Sequence, residues 1–379
     1  MTIKRELQSE IGQSSAQKLI LITGPRQTGK TTLAKALSDS VEYLNYDRKE
    51  DRKKIIQESW DREKEFLILD EIHKMKKWKL WLKGLFDTRQ GQKIIVTGSA
   101  RLDTHRKVGD SMAGRYFAYQ LFPFDLKELS LNKFGNTEEN FLRLMNFSGF
   151  PEPFLQNSQA FYKKWRKTHL DVIVREDIIA TETIKRISDL EMLIELMKER
   201  IGSIFSYSSL REDLLTDDKT IKRWMIALEN AYLFLKITPY SKNIKDSIKK
   251  APKFYFFDFP RVADQAAKLE NFVALSLSKE ISLRNDLLGE DYTLHFLRNK
   301  QKQEIDFLIC LNKKPIIMIE VKTSDETASK NFASFAPQLK KLNPDIQSVQ
   351  LVLNLKKEYS TKSGIKIKRL TTWLEKCPF

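Results

Sequence analysis

Short apolar runs recur through the first third of the chain, each about five residues long and set apart by stretches of mixed polarity. LILIT at 19–23, VEYLNYD at 41–47, FLIL at 66–69, KIIVT at 93–97 and the run at 116–121 read as strands. Between them lie segments of another period. Residues 48–64 are charged and compatible with a helix, and Trp78, Trp81, Leu82, Leu85 and Phe86 recur at helical spacing, which predicts a packed amphipathic helix. Strand and helix alternating from Leu19 to Phe124 predict an α/β unit, a parallel sheet sandwiched by helices.

The pattern then changes. Residues 130–183 read as helical, interrupted at Gly149, Pro151 and Pro153 and continuing through Trp165, Leu170, Val174 and Ile178. His169, set among charged residues, reads as a surface histidine. Helices are predicted over 192–200, 207–214 and 219–230, with an N-cap offered at Thr216 and Asp217. On the third, Ile221, Trp224, Met225 and Leu228 take the core face and Lys219, Lys222 and Arg223 the outside. A strand at 232–237, a loop with Lys242, Lys245, Lys249 and Lys250, and a strand at 253–258 complete this stretch. The remainder opens with the amphipathic helix LENFVALSLSKEI. A strand at 292–297, a basic turn (Arg298, Lys300, Lys302) and the runs EIDFLICL and IIMIEVKTS follow. Four units are expected: 1–128, 129–188, 189–258 and 259–379.

Composition narrows the possibilities. At 379 residues, 41% hydrophobic and 31% charged, the chain is ordinary for a multidomain globular protein. No run approaches the roughly eighteen apolar residues of a membrane span. Charged residues stand ahead of the first apolar run, which is too short for a signal segment. Cys310 and Cys377 lack metal-ligand spacing and cannot build a disulfide framework, so a cytoplasmic location is expected. The net charge of +16 suits a polyanionic partner, although a generally lysine-rich surface accounts for it equally.

Chemistry enters with GPRQTGKTT after the first strand. Gly24, Gly29, Lys30 and Thr31 fit the phosphate-binding template G-x-x-x-x-G-K-[ST]. The segment Gly24, Pro25, Arg26, Gln27, Thr28, Gly29, Lys30, Thr31 and Thr32 is therefore the expected ATP cradle. Glycines let the backbone wrap, Lys30 reaches the terminal phosphates and the Thr31 hydroxyl serves Mg²⁺. Asp70 and Glu71 end the third strand, forty residues after Lys30. Asp70 is expected to support Mg²⁺ and Glu71 to orient the attacking water. Thr97 or Ser99, where the fourth strand ends, is placed to sense the terminal phosphate, or simply belongs to a turn.

GPRQTGKTTL, LILDEIHK, IIVTGSARL and GRYFAYQLFPFDLKEL, in that order, resemble a widespread prokaryotic family of AAA+-type ATPases with a C-terminal domain of unknown function. This chain departs from its pattern at His73 and Ala100. The resemblance implies an ATPase core over 1–128 and a helical lid over 129–188. It also makes Arg115 a candidate finger or sensor arginine, acting in the same or a neighbouring subunit; a plain surface arginine is the alternative. A homo-oligomer is expected from a finger acting in trans.

Three helices and a two-stranded wing at 189–258 describe a winged helix. Its third helix and wing lysines are expected to meet DNA, branched or duplex, although such modules also bind proteins. In the last unit, Asp306, Glu320 and Lys322 with Glu270 upstream resemble the PD-(D/E)XK nuclease superfamily, and Gln338 falls where some relatives carry glutamine. The resemblance implies Mg²⁺ held by Asp306 and Glu320, with Lys322 holding or activating water. Active nuclease and inactive DNA-binding remnant both remain open. Taken together, the expectation is a Mg²⁺-dependent ATPase that binds DNA and couples hydrolysis to its remodelling. An ATP-gated endonuclease and a nucleotide-switched protein scaffold are the alternatives.

Overall fold

The computed structural model describes residues 3–89, 91–98, 112–178, 187–204, 206–241, 251–325 and 327–379. Ser99, Ala100 and the wing lysines Lys242, Lys245, Lys249 and Lys250 lie outside the described residues.

The first unit alternates as its pattern predicts: α1 (Gln8–Ser14), β1 (Leu19–Thr23), α2 (Lys30–Lys35), β2 (Val41–Asn45), α3 (Lys49–Gln57), β3 (Phe66–Asp70), α4 (Trp78–Thr88), β4 (Lys93–Thr97) and β5 (Tyr116–Gln120). The strands form one parallel sheet in the order β2-β3-β4-β1-β5. Successive side chains leave a strand on opposite faces, and the two cores divide accordingly. Leu19, Leu21, Leu67, Leu69, Ile94 and Val96 pack with Leu82 and Leu85 of α4. Ile20, Ile22, Phe66, Ile68 and Ile95 pack with Ile11 of α1 and Leu33 of α2. Burial on both faces is why these runs are continuously apolar.

Helices α5 (Leu126–Leu131), α6 (Thr137–Phe147), α7 (Pro151–Gln156) and α8 (Gln159–Val172) follow. Asp125, Asn136 and Ser158 cap three of them by accepting from backbone N–H groups, and Pro151 opens α7. Beyond α8 the chain continues as a π-helical turn, Ile173–Ile178, where the sequence pattern suggests an uninterrupted α-helix.

Next come α9 (Ile187–Lys198), α10 (Tyr207–Leu214) and α11 (Asp218–Asn230), with Asp217 accepting from the Thr220 N–H at 3.0 Å as the expected N-cap. The hairpin β6 (Phe234–Pro239) and β7 (Lys253–Phe256) follows. The last part is α12 (Gln265–Leu288), β8 (Tyr292–Arg298), β9 (Glu304–Leu311), β10 (Lys314–Lys322), α13 (Asn331–Lys340), β11 (Gln347–Val352), β12 (Tyr359–Ser360), β13 (Ile365–Arg369) and α14 (Leu370–Lys376).

Backbone pairing crosses the boundary expected after residue 258. Thr238 and Pro239 extend β6 beyond its hairpin partner and pair in parallel with His295 and Phe296 of β8, giving one eight-stranded sheet. Asn271 of α12 strengthens the join. Its amide donates to the Phe256 carbonyl at 2.8 Å and accepts from the Phe256 N–H at 2.9 Å, completing the β7 backbone as a strand would. Among the described residues, no helix is long and apolar enough to cross a membrane.

Candidate nucleotide site and the carboxylate cluster

The loop between β1 and α2 sits at the C-terminal edge of the parallel sheet, where backbone N–H groups at the start of α2 face outward. Lys30 is 9% exposed, and its ammonium donates to the Gly24 and Pro25 carbonyls at 2.9 and 2.6 Å. Thr28 closes the loop from within by donating to the Pro25 carbonyl at 2.8 Å.

β3 lies beside β4, and β4 beside β1, so Asp70 and Thr97 are register partners, Thr97 one strand and Asp70 two strands from β1. Asp70 accepts from the Thr31 hydroxyl at 2.9 Å, the Tyr43 hydroxyl at 2.9 Å and the Thr97 hydroxyl at 2.7 Å. Burial and the neighbouring Asp70 push the Tyr43 phenol up to about 12, so it remains a donor. Thr97 is fully buried and spends its hydroxyl on orienting Asp70, rather than standing free to sense a phosphate.

Glu71 follows in left-handed backbone, φ 56°. Its Oε2 accepts no hydrogen bond; the His73 Nε2 is 3.5 Å away and the Lys74 ammonium 3.8 Å. Burial first, then Asp70, raise this carboxyl above the usual range against the pull of Arg26, Lys74 and Lys30.

A cavity of about 230 Å³ opens beside the loop, lined by Ile3, Arg5, Thr32, Leu33, Pro151 and Leu155 among others. It is mostly apolar and borders Gly29. Sequence reasoning missed it, because its walls come from the N-terminal segment, α2 and α7. Arg26 reaches the π-helical turn, 3.1 Å from Glu176, tying the loop to the helical unit.

His169 corrects its surface expectation. It is 2% exposed and stacks on Trp165, ring centroids 4.5 Å apart, against Phe150. Burial depresses its pKa to about 4, so the ring is neutral.

A family model described as an AAA domain matches residues 16–130. The N-terminal part of the chain carries an AAA domain. Two further models, both described as domains of unknown function, match residues 138–260 and 266–373. An uncharacterized protein of Methanocaldococcus jannaschii is 21% identical over 373 residues, covering 88% of this chain and 82% of its own. One of Mycobacterium tuberculosis is 23% identical over 328 residues, covering 83% and 73%. The structure of the Aeropyrum pernix ORC1 protein in complex with DNA superposes with TM-score 0.36 at 10% identity, over 72% of this chain and 93% of that one.

Within the AAA domain, the Thr31 hydroxyl and the Asp70 carboxylate put two hard oxygen donors together at the loop, a set that fits Mg²⁺. Arg115 lies elsewhere. It precedes β5, whose first residue pairs with Leu19 at the start of β1, so it sits at the opposite end of the sheet from the loop. There it forks onto Asp87, Nε to Oδ1 at 2.8 Å and Nη2 to Oδ2 at 3.1 Å. The expectation of a role on its own subunit's nucleotide fails on that placement.

The third helix presents Lys219, Lys222 and Arg223 outward and buries Ile221, Trp224, Met225 and Leu228 as expected.

In the last part, antiparallel pairing brings the start of β9 beside the end of β10, and the Asp306 carboxylate accepts from the Val321 N–H at 2.8 Å. The pairing of β8 with β9 shifts register between His295 and Leu297, next to Asp306; such irregularities re-aim a side chain. Glu320 is 2% exposed, and its Oε1 takes Lys322 at 3.0 Å and Ser329 at 3.2 Å. Glu270 accepts from the Tyr255 hydroxyl at 2.7 Å and from Lys253 at 3.0 Å. Burial, then Glu270 and Glu320, push Asp306 well above the usual carboxylate range. The four expected residues therefore gather, joined by Lys253 and Tyr255 from the hairpin, which sequence reasoning assigned elsewhere.

Among the described residues no group of three or more His, Cys, Asp or Glu is arranged to hold a metal ion; protein donors engage Asp306, Glu270 and one oxygen of Glu320. Burial works to lower the Lys322 ammonium, but Glu320 and Asp306 outweigh it and raise it. Gln338 stands apart, lining a separate cavity of about 670 Å³ with Tyr240, Arg298, Lys300 and Lys341. The glutamine that serves the cluster is Gln350 of β11, fully buried. Its amide donates to the Asp325 and Thr327 carbonyls and accepts from the Ser329 N–H, holding that loop over Glu320.

Proposed function

We propose that the protein is a Mg²⁺-dependent ATPase of AAA+ type that binds DNA and couples hydrolysis to rearrangement of its DNA-facing parts. The observation that carries this reading is the meeting of Lys30, Thr31 and Asp70 at one loop, with Glu71 beside them. Lys30 exchanges two loop carbonyls for terminal phosphate oxygens. Thr31 and Asp70 would hold Mg²⁺, which when bound would supply neutralising charge to the phosphates. Glu71, more basic than an ordinary carboxylate, accepts a proton from the attacking water. Arg115 contributes to this step from a neighbouring subunit of a homo-oligomer. The exposed face of α11 supports DNA contact, and the protein works in the cytoplasm. Lys30→Ala is expected to abolish turnover; undiminished ATPase activity would sink the reading. ATPase rates with single-stranded, duplex and four-way-junction DNA test the coupling. Absence of DNA binding at low salt favours the protein-scaffold alternative.

A second reading, nucleotide-gated DNA cleavage at the C-terminal cluster, is favoured by one observation: Glu320 Oε2 is buried without a hydrogen-bond partner. Cleavage of branched or linear DNA that disappears in Asp306→Ala supports it; equal or absent cleavage in both proteins removes it.

A further inference from the structure

Glu128 of α5 divides its two carboxylate oxygens between distant parts of the chain. Oε1 accepts from Arg5 Nε at 2.8 Å, and Oε2 accepts from the Lys279 ammonium at 2.8 Å. Arg5 continues inward, its Nη1 donating to the Thr28 carbonyl of the nucleotide loop at 2.7 Å and its Nη2 to the Phe122 carbonyl. Lys279 continues outward, because it lies midway along α12, the helix whose first turns carry Glu270, and it also donates to Asp125 at 2.9 Å and the Pro123 carbonyl at 3.2 Å. All three charged residues are buried: Arg5 is 6% exposed, Glu128 1% and Lys279 8%.

That burial makes the chain of contacts stiff. Each charge lacks water to fall back on and depends on its protein partners. Burial alone would raise the Glu128 carboxyl, yet Arg5 and Lys279 hold it down to about 2. The Arg5 fork fixes direction as well as distance, which an ammonium on a flexible stem would not. Thr28 immediately precedes Gly29 and Lys30, so a shift of its carbonyl moves the phosphate-binding backbone itself.

We propose that Arg5, Glu128 and Lys279 are positioning residues forming a strut through which α12 sets the geometry of the nucleotide loop. Nucleotide affinity and the placement of the C-terminal helix are then linked in both directions. The proposal rests on the nucleotide-site reading above.

Removing Lys279 alone would take a cationic partner from two buried carboxylates, Asp125 and Glu128. Lys279→Met is therefore combined with Asp125→Asn, which withdraws one cation and one anion together and keeps an N-cap for α5. Binding of a fluorescent ATP analogue with Mg²⁺ is measured on the full chain, with melting followed by circular dichroism. The folded double variant is expected to bind at least about fivefold more weakly. Arg5→Lys is expected to weaken binding too, and adding it to the double variant is expected to bring little further loss. A merely structural role would lower the melting temperature without moving affinity. Lys279→Arg, which keeps the charge, is the second variant and gives a smaller loss in the same direction. Wild-type affinity in both Lys279 variants, or penalties that multiply in the combined variant, overturns the strut. Lys30→Ala calibrates the site: binding by wild type and not by Lys30→Ala leaves the nucleotide reading standing whatever the Lys279 variants show. No binding by the wild type overturns both.

Discussion

The two glycines of the nucleotide loop serve different physical ends, and replacing each by alanine separates them. Gly24 has φ +134°, and a Cβ there would lie 2.3 Å from the Leu121 carbonyl oxygen, 3.2 Å from its carbon and 3.3 Å from its nitrogen. All three are backbone atoms, so no side-chain rotation relieves the contact. Relief requires parting the ends of β1 and β5, where the Leu121 N–H donates to the Thr23 carbonyl at 2.8 Å. Gly29 has φ +90°, but its Cβ would meet only Arg5 Nη1 at 3.8 Å and Pro151 Cγ at 3.9 Å. There the cost is conformational and not steric.

For Gly29→Ala, holding a residue in the left-handed region costs about 1–2 kcal/mol. The loop sheds that strain by leaving its phosphate-ready form, so the cost reappears in binding as roughly a 5- to 30-fold weaker nucleotide affinity. For Gly24→Ala, strained backbone costs about 1–3 kcal/mol and the broken strand-end hydrogen bond about 1 kcal/mol more, before the collision is counted. A total of about 3 kcal/mol or more corresponds to at least about a hundredfold. Titration of a fluorescent ATP analogue into each variant, with melting curves alongside, gives both quantities. Gly24→Ala should lose affinity and melting temperature together, Gly29→Ala mainly affinity. Equal affinities, or a more severe Gly29 variant, would refute the steric assignment of Gly24.

The raised Glu71 carboxyl takes up its proton at a higher pH than an ordinary glutamate, so kcat/KM should fall on the acid side while other carboxylates are still ionised. Glu71→Gln should remove that limb with most of the rate; an acid limb at the usual carboxylate pH would contradict it. Arg115→Ala should lose ATPase activity and recover part of it when mixed with Lys30→Ala, because one mixed interface pairs an intact loop with an intact arginine. No recovery ends the trans role. Replacing Lys222 and Arg223 by alanine should weaken DNA binding across sequences and lower the salt slope by about 2, roughly 1 per lost phosphate contact. His169 stays neutral in the fold down to about pH 4 but protonates near 6.5 when unfolded. The unfolded chain binds the extra proton between those values, so stability contributed there is complete above 6.5 and is lost as pH falls through the folded value. His169→Phe should flatten a slope worth up to about 3 kcal/mol, seen in urea midpoints measured from pH 7 to 4.

The AAA domain was legible because its signals are local. A strand buried on both faces is written as five consecutive apolar residues, and the loop chemistry is confined to Gly24–Thr32, so neither needs knowledge of the fold. Asp70 follows from the strand it ends. Thr97 and Tyr43 were harder, since their function is to orient Asp70 and only sheet order places them beside it. His169 was misread because its charged sequence neighbours point away from the ring, while the residues that bury it, Phe150 and Trp165, meet it through tertiary packing and helical spacing.

Arg5, Lys253 and Lys279 mark the limit of such reading. Each is a basic residue in a chain with 66 lysines and arginines, and nothing in its immediate sequence separates it from those that face water. What distinguishes them is an acidic partner supplied by another element: Glu128 for Arg5 and Lys279, Glu270 and Glu304 for Lys253. Glu128 lies more than a hundred residues from both Arg5 and Lys279, and a partner that far off leaves no periodicity. Apolar patterning marks where a core begins and ends, whereas the contacts joining the AAA domain to α12, and the hairpin to the C-terminal sheet, are buried charges and a two-residue strand extension at Thr238 and Pro239.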